Sequence, residues 1–285
     1  TCTICGQTKE EVIPPTGGST VCPGGTSCPS YGFPDVAGPA DWSHEGLDYC
    51  IYRGYIAGTS ASTVAPTGVY TRAQLVSILY RMQGEPTTVR GIELAKLRAP
   101  FNDVPRGQWY TDAIWWAKLT GVVAGTSATT FEPTANVTRA QFVTMIAGLA
   151  GADVSGYASG PFTDVQAGSW YAPYVNWAAA SGIVSGTSAT TFEPAAEISR
   201  QDMAVMLYNY AQQFAPGSLT ATGSLAGFPD AGSVSSWART EMAWAVGNGL
   251  ISGTGSGSVA YLSPQGSATR AQVAAILMRF EQAMA

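Results

Sequence analysis

An internal repeat constrains this chain more than any other feature. A Phe with Asp two residues on occurs four times, as Phe33/Asp35, Phe101/Asp103, Phe162/Asp164 and Phe228/Asp230. Each pair is followed by a tryptophan (Trp42, Trp109, Trp170, Trp237) and, sixteen residues after it, by a glycine (Gly58, Gly125, Gly186, Gly253). An arginine closes each set: Arg72, Arg139, Arg200 and Arg270. Self-similarity of this kind means one supersecondary unit used several times, with stacked neighbours burying faces that no unit can bury alone. The 285 residues then divide into a leader, 1–32, and repeats over 33–86, 101–151, 162–213 and 228–284.

Each repeat reads as two helices. In the second copy Tyr110, Ala113, Ile114 and Ala117 fall at i, i+3, i+4, i+7, and Tyr171, Tyr174, Val175 and Ala178 match them in the third. Gly54, Gly121, Gly182 and Gly249 stand where a helix C-cap is expected. A turn-rich Gly-Thr-Ser loop follows, closed in two copies by Phe-Glu-Pro. A second apolar stripe then begins: Phe142, Met145, Ile146, Leu149, with counterparts at Leu75, Ile78, Leu79, Met82, at Met203, Met206, Leu207, Tyr210, and at Val273, Ile276, Leu277, Phe280. The expectation is an all-α chain of helical hairpins. Ala117, Ala178, Ala245 and Cys50 share one repeat position and should be buried where helices approach closely. Of the connections, Gly91–Leu97 is expected to form a short helix.

Charged residues make up only 12% of the chain and the net charge is −5, so no basic stripe points to nucleic acid. No apolar run reaches the length of a membrane span. The chain starts at Thr1 with no initiator Met or signal peptide, which reads as processing or as an excerpt of a longer protein.

Four of five cysteines lie in the Gly/Pro/Ser/Thr-rich leader. Cys2 and Cys5 have the spacing of a zinc knuckle, and Cys22 and Cys28 complete four candidate ligands, although their gap is wider than usual. Two disulfides stapling a coreless segment account for the same residues, as do free thiols. The leader resembles Cys-x-x-Cys-Gly spacers of surface proteins of Gram-positive anaerobes. Zinc is therefore the one cofactor under consideration, and only here.

Thr138-Arg139-Ala140-Gln141 opens the second helix of its copy. Thr at the N-cap with Gln three residues on is a capping box, repeated by Thr71/Gln74 and Thr269/Gln272 and more loosely by Ser199/Asp202. The arginine lies at the first helical position, where the helix dipole disfavours a cation. Two readings remain open from spacing alone: an anion site beside free helix N–H groups, or a salt bridge to a neighbouring acid.

These copies resemble S-layer homology domains through the Phe-x-Asp-Val opening, the Trp-Tyr start of the first helix, the Gly-Thr-Ser-x-Thr-Thr-Phe-x-Pro loop and the Thr-Arg-Ala-Gln start of the second. The resemblance spans Phe33 to Met284. Copy one has Val64-Ala65 in the loop, copy three has Ser199-Arg200-Gln201-Asp202, and copy four has Leu262-Ser263-Pro264 with three extra residues before Arg270. The resemblance implies a pseudo-threefold prism of three modules; the short to moderate linkers and complete motif arginines of copies two to four make those the expected three, with the first copy outside the prism or joined to another chain. It implies a non-catalytic anchor at the bacterial cell surface that binds an acidic, pyruvylated secondary cell-wall polysaccharide of a Gram-positive-type wall. Arg72, Arg139, Arg200 and Arg270 would face the acidic group. Trp109 and Trp170 would line the grooves unless they are core, and Gly125 and Gly186 would lie in them. The rival reading, prompted by the spare copy, is a self-assembling protein of a surface layer or appendage, with other copies of the chain as partners.

Nothing in the sequence builds an enzyme. His44 is the only histidine and is expected to be exposed, and the fourfold Asp of the opening motif suits a turn or cap better than catalysis. Glu132 and Glu193 recur only twice.

Overall fold

The computed structural model describes residues 25–41, 43–123, 125–217, 220–251, 253–254 and 260–284, with the side chains of 149 and 280–284 excepted. Its helices come in pairs, one pair per repeat: α1 (His44–Tyr52) and α2 (Arg72–Met82), α3 (Thr111–Thr120) and α4 (Arg139–Leu149), α5 (Ala172–Ala180) and α6 (Arg200–Phe214), α7 (Arg239–Gly247) and α8 (Arg270–Met284). Local chemistry sets their ends. The three capping boxes at Thr71, Thr138 and Ser199 are complete, and Thr269 and Gln272 exchange the same two bonds ahead of α8. Gly54, Gly121, Gly182 and Gly249 all take φ between +67° and +80°, which stops each first helix in a conformation only glycine adopts without strain.

The linker between the first two modules departs from expectation. Thr88–Val89 and Ile92–Glu93 pair as an antiparallel hairpin (β1, β2), with Thr88 opposite Glu93 and Val89 opposite Ile92. Arg90 and Gly91 both have positive φ, as a two-residue hairpin turn requires. The expected helix shrinks to a 3-10 turn over Leu94–Lys96 that buries Leu94.

Four modules close into one ring. The residues before each second helix pair with their neighbours': Thr71 with Asn136, Thr138 with Glu197, Ser199 with Ser267, and Val69 with Thr269. The order is thus one to two, two to three, three to four, and four back to one. Helix packing repeats it. Each second helix lies against the first helix of the following module (α2 on α3, α4 on α5, α6 on α7), and α8 lies on α1. The closing contact is intimate. A Cβ on Gly46 would stand 2.8 Å from the Ala275 Cα, and the Cys50 thiol reaches the Ala274 carbonyl at 3.5 Å.

This overturns the pseudo-threefold prism with one module left over. The fourth module carries every group that a junction needs, so the ring admits it, and no module is spare to recruit another chain. The hairpin picture also changes, because the apolar stripes are buried mainly between modules. The expectation for the matched small residues holds: Ala117, Ala178, Ala245 and Cys50 are fully buried. Leu75, Phe142, Met203 and Ile276, one from each module, line an apolar cavity of about 30 Å³.

Candidate ligand-binding junctions

Every junction is built from the same backbone bonds. The first two N–H groups of each second helix lack an intrahelical acceptor. Here they are taken by the next module. Arg72 N–H donates to the Ala135 carbonyl and Ala73 N–H to that of Pro133. Arg139 and Ala140 use Ala196 and Pro194; Arg200 and Gln201 use Gly266 and Pro264; Arg270 and Ala271 use Gly68 and Pro66. The N–H groups that would have made an open anion site are therefore already bonded.

The arginine side chains complete the joint. Nε donates to a loop carbonyl of the next module in all four: Arg72 to Phe131 (2.7 Å), Arg139 to Phe192 (2.9 Å), Arg200 to Leu262 (2.6 Å) and Arg270 to Val64 (2.6 Å). All four arginines are buried, at 2–4% exposure. The guanidinium carbons of Arg72 and Arg139 lie 4.5 and 4.8 Å from the Phe131 and Phe192 ring centres, a cation–π arrangement. Arg270, whose loop has Val64 instead of Phe, uses the Tyr70 ring at 5.6 Å. Arg139 also pairs with Asp202 of the third module, Nη1 to Oδ1 at 2.6 Å. Of the two readings of the motif arginine, a salt bridge to a neighbouring acid is thus present at Arg139. Burial pushes the Arg72 and Arg200 guanidinium groups down to about 10, with Glu132 and Asp103 opposing at Arg72 and Asp230 at Arg200. Burial lowers Arg270 as well. Arg72 and Arg200 stay cationic near neutrality.

The opening Asp holds the loop that receives the arginine. Asp35 accepts from Val64 and Ala65 N–H, Asp103 from Phe131 and Glu132, Asp164 from Phe192 and Glu193, and Asp230 from Leu262 and Ser263. The second residue of each pair has positive φ: Ala65 53°, Glu132 57°, Glu193 57°, Ser263 46°. That conformation is uncommon for side-chain-bearing residues and persists where contacts enforce it. Each Asp thereby aims the carbonyl that its neighbour's arginine grips. These aspartates, read in sequence as turn residues, are the junction groups that motif reasoning undervalued; strict fourfold recurrence was their signal.

The remaining candidates separate. A Cβ on Gly125 would collide with the Ser127 and Thr130 carbonyl oxygens, and one on Gly186 with those of Ser188 and Thr191, so both glycines are required by the loop itself. Trp109 is 58% exposed, stacked edge-on against Tyr110 at 5.1 Å, which removes the core reading for it. Trp170 is half-buried and sits likewise against Tyr171. The departures in copy three have partners. Gln201, buried, bonds Ser235 and Gln265 of the fourth module, and Asp202 serves Arg139.

His44 is not exposed. It is 5% accessible, with Nδ1 2.7 Å from the Ala37 carbonyl and Nε2 3.0 Å from Asp48 Oδ2. Its i, i+4 spacing to Asp48 was the overlooked signal. Of the leader cysteines, Cys28 is disulfide-bonded, while Cys2, Cys5 and Cys22 lie outside the described residues, as does Trp42.

A closed ring of helical modules joined by one repeated Asp–loop–Arg junction defines the class of this protein. Comparison with known families matches three of the four modules. Residues 100–143, 161–204 and 227–274 match the S-layer homology domain. Modules two, three and four thus match the S-layer homology domain, and the similar proteins include S-layer proteins as well as enzymes. It is 35% identical over 180 residues to an amylopullulanase of Thermoanaerobacterium thermosulfurigenes, covering 62% of this chain and 9% of that protein. It is 33% identical over 199 residues to the exoglucanase XynX of Acetivibrio thermocellus, 69% of this chain and 17% of the relative. Against the surface-layer 125 kDa protein of Lysinibacillus sphaericus it is 30% identical over 159 residues, 56% and 13%. The chain thus spans under a fifth of the length of these relatives. Among the described residues no helix is long and apolar enough to cross a membrane.

Proposed function

We propose that the ring is a non-catalytic anchor that binds an acidic, pyruvylated secondary cell-wall polysaccharide at one rim, and that module one is a fourth, divergent S-layer homology domain. One observation carries this reading. The bridges that close the ring lie directly ahead of α2, α4, α6 and α8, so four helix N-termini and four arginines gather at one end of an otherwise acidic protein. The helix donors there are bonded across the junctions, and acids stand beside the arginines: Asp103 and Glu132 by Arg72, Asp202 by Arg139, Asp230 by Arg200 and Asp35 by Arg270. What supports an acidic wall glycan as the ligand is the match of modules two to four to the S-layer homology domain. The arginines act mainly by fixing the shape of each junction. Exposed Trp109 and half-buried Trp170 offer flat faces for sugar rings, and the exposed hydroxyls of Thr126, Ser127, Thr187 and Ser188 give the loops a polar surface.

The test is retention on purified cell wall with and without its polysaccharide, followed by isotherms on pyruvylated and depyruvylated glycan. Binding that needs both the polysaccharide and its pyruvate is expected. Equal affinity for the two glycans would remove the anionic part of the reading, and retention on polysaccharide-free wall would remove the anchor assignment. Particle mass in solution is expected to be that of one chain, because the ring uses all its modules internally; a defined oligomer would favour the self-assembling surface-layer reading.

A further inference from the structure

Where the leader meets the ring, three donor atoms from separate turns converge. Cys28 Sγ lies 3.6 Å from His44 Nε2, and that nitrogen lies 3.0 Å from Asp48 Oδ2. The three ligand atoms are all within 4.8 Å of one another, and all three residues are buried. We propose that reduction of the Cys28 disulfide opens a divalent-metal site of the zinc class, with Cys28 Sγ, His44 Nε2 and Asp48 Oδ2 as ligands.

The local hydrogen bonds point the donors inward. His44 Nδ1 faces the Ala37 carbonyl at 2.7 Å, so Nδ1 carries a proton and donates it. That is the outer bond that orients a metal-binding imidazole and leaves Nε2 as the ligand atom. Asp48 Oδ1 accepts the Ser30 N–H at 2.9 Å, while the buried Oδ2 has no hydrogen bond. Nε2 and Oδ2 thus face each other at 3.0 Å. Two acceptors at that distance need a cation between them, either a proton on Nε2 or a metal.

Two edges of the cluster can be set against a tetrahedral site. Zn–N near 2.05 Å, Zn–S near 2.3 Å and Zn–O near 2.1 Å at tetrahedral angles give edges of about 3.6 Å for N···S and about 3.4 Å for N···O. The first matches the separation present, and the second asks for a few tenths of an ångström. His44 and Asp48 lie one turn apart on α1, which is pinned against α8, and Cys28 is the residue ahead of the 3-10 turn Pro29–Gly32. Three ligands leave a fourth position for one further donor.

In the oxidised chain the sulfur is committed to its disulfide and is a poor ligand. A phosphine and one water convert the disulfide to two thiols and a phosphine oxide. The Cys28 thiol then releases its proton to buffer as the metal binds, which makes binding pH-dependent.

The probe is Co2+, titrated into the full chain with and without a water-soluble phosphine and followed by its visible d–d bands and thiolate charge-transfer absorption, with Zn2+ displacing it. The reduced chain is expected to take up one ion in tetrahedral geometry and the oxidised chain none. His44→Ala and Asp48→Asn should each weaken uptake by at least about 100-fold, since even outer-shell losses reach that size. Cys2→Ser/Cys5→Ser should leave uptake intact. Far-UV circular dichroism of the oxidised variants checks that the ring is folded. No uptake by the reduced chain would overturn the site. So would unchanged affinity in His44→Ala and Asp48→Asn, or loss of uptake in Cys2→Ser/Cys5→Ser, either of which would locate the metal among leader cysteines alone.

Discussion

Arg139→Ala is the substitution that separates a junction group from a purely ligand-facing one. The guanidinium makes three contacts across the joint between modules two and three: Nε to the Phe192 carbonyl at 2.9 Å, Nη1 to Asp202 at 2.6 Å, and its face over the Phe192 ring. A hydrogen bond from a charged donor contributes about 1.5–3 kcal/mol. Breaking a fully buried ion pair costs about 3–5 kcal/mol, mostly through the charge left behind. Asp202 keeps 18% side-chain exposure and a bond from Ser199 N–H, so its share falls well below that range. Removing a cation from the helix N-terminus returns about 0.3–1 kcal/mol. These contributions share atoms and do not add, and the expected net loss is about 2–4 kcal/mol. For a domain of this size that lowers Tm by roughly 4–16 °C at about 2–4 °C per kcal/mol. Arg139→Lys should recover part of the loss, because an ammonium cannot serve both partners with a planar fork. Thermal and urea melts of the single variants and of Arg139→Ala/Asp202→Asn measure the coupling. An Arg139→Ala chain as stable as wild type would refute the junction, whatever its glycan affinity.

Other expectations test other parts of the ring. Gly46→Ala puts a methyl against the α8 backbone at Ala275 and should destabilise the closure by about 1–3 kcal/mol, read from urea midpoints; an unchanged midpoint would mean that α1 and α8 do not touch. Burial raises the Tyr70 phenol well above its ordinary value, with Arg270 opposing. A raised acid contributes stability that is complete below the unfolded value near pH 10 and is lost as pH climbs above it. Tyr70→Phe should therefore gain on wild type in melts run above pH 10, and parallel curves would contradict the burial of that phenol.

Much of the fold was legible because it is written locally or periodically. The helix starts were visible in Thr-x-x-Gln, the stops in glycines that need positive φ, and the buried faces in the matched Ala117, Ala178, Ala245 and Cys50. Closure was not legible. Junctions run through backbone carbonyls such as Pro133, Pro194, Pro264 and Pro66, which carry no side-chain signature, and α1 meets α8 from opposite ends of the repeat array. A family expectation of three modules then misdirected the count. The arginine looked like half of an open anion site because a helix N-terminus seen alone has free donors; the neighbouring module supplies their acceptors. His44 looked exposed because one partner, Cys28, lies in the leader and the other, Asp48, in the first copy, which departs from the repeat.

The central claim is that module one closes on module four within a single chain. Val69 and Thr269 are partners across that seam, and facing residues of antiparallel strands have Cα separations of about 4.5–5.5 Å, inside the range a disulfide spans. The direct measurement is peptide mapping by mass spectrometry of Val69→Cys/Thr269→Cys after mild oxidation. The ring predicts a 69–269 linkage within chains of monomer mass. A linkage found only in dimers, or none at all, would contradict it.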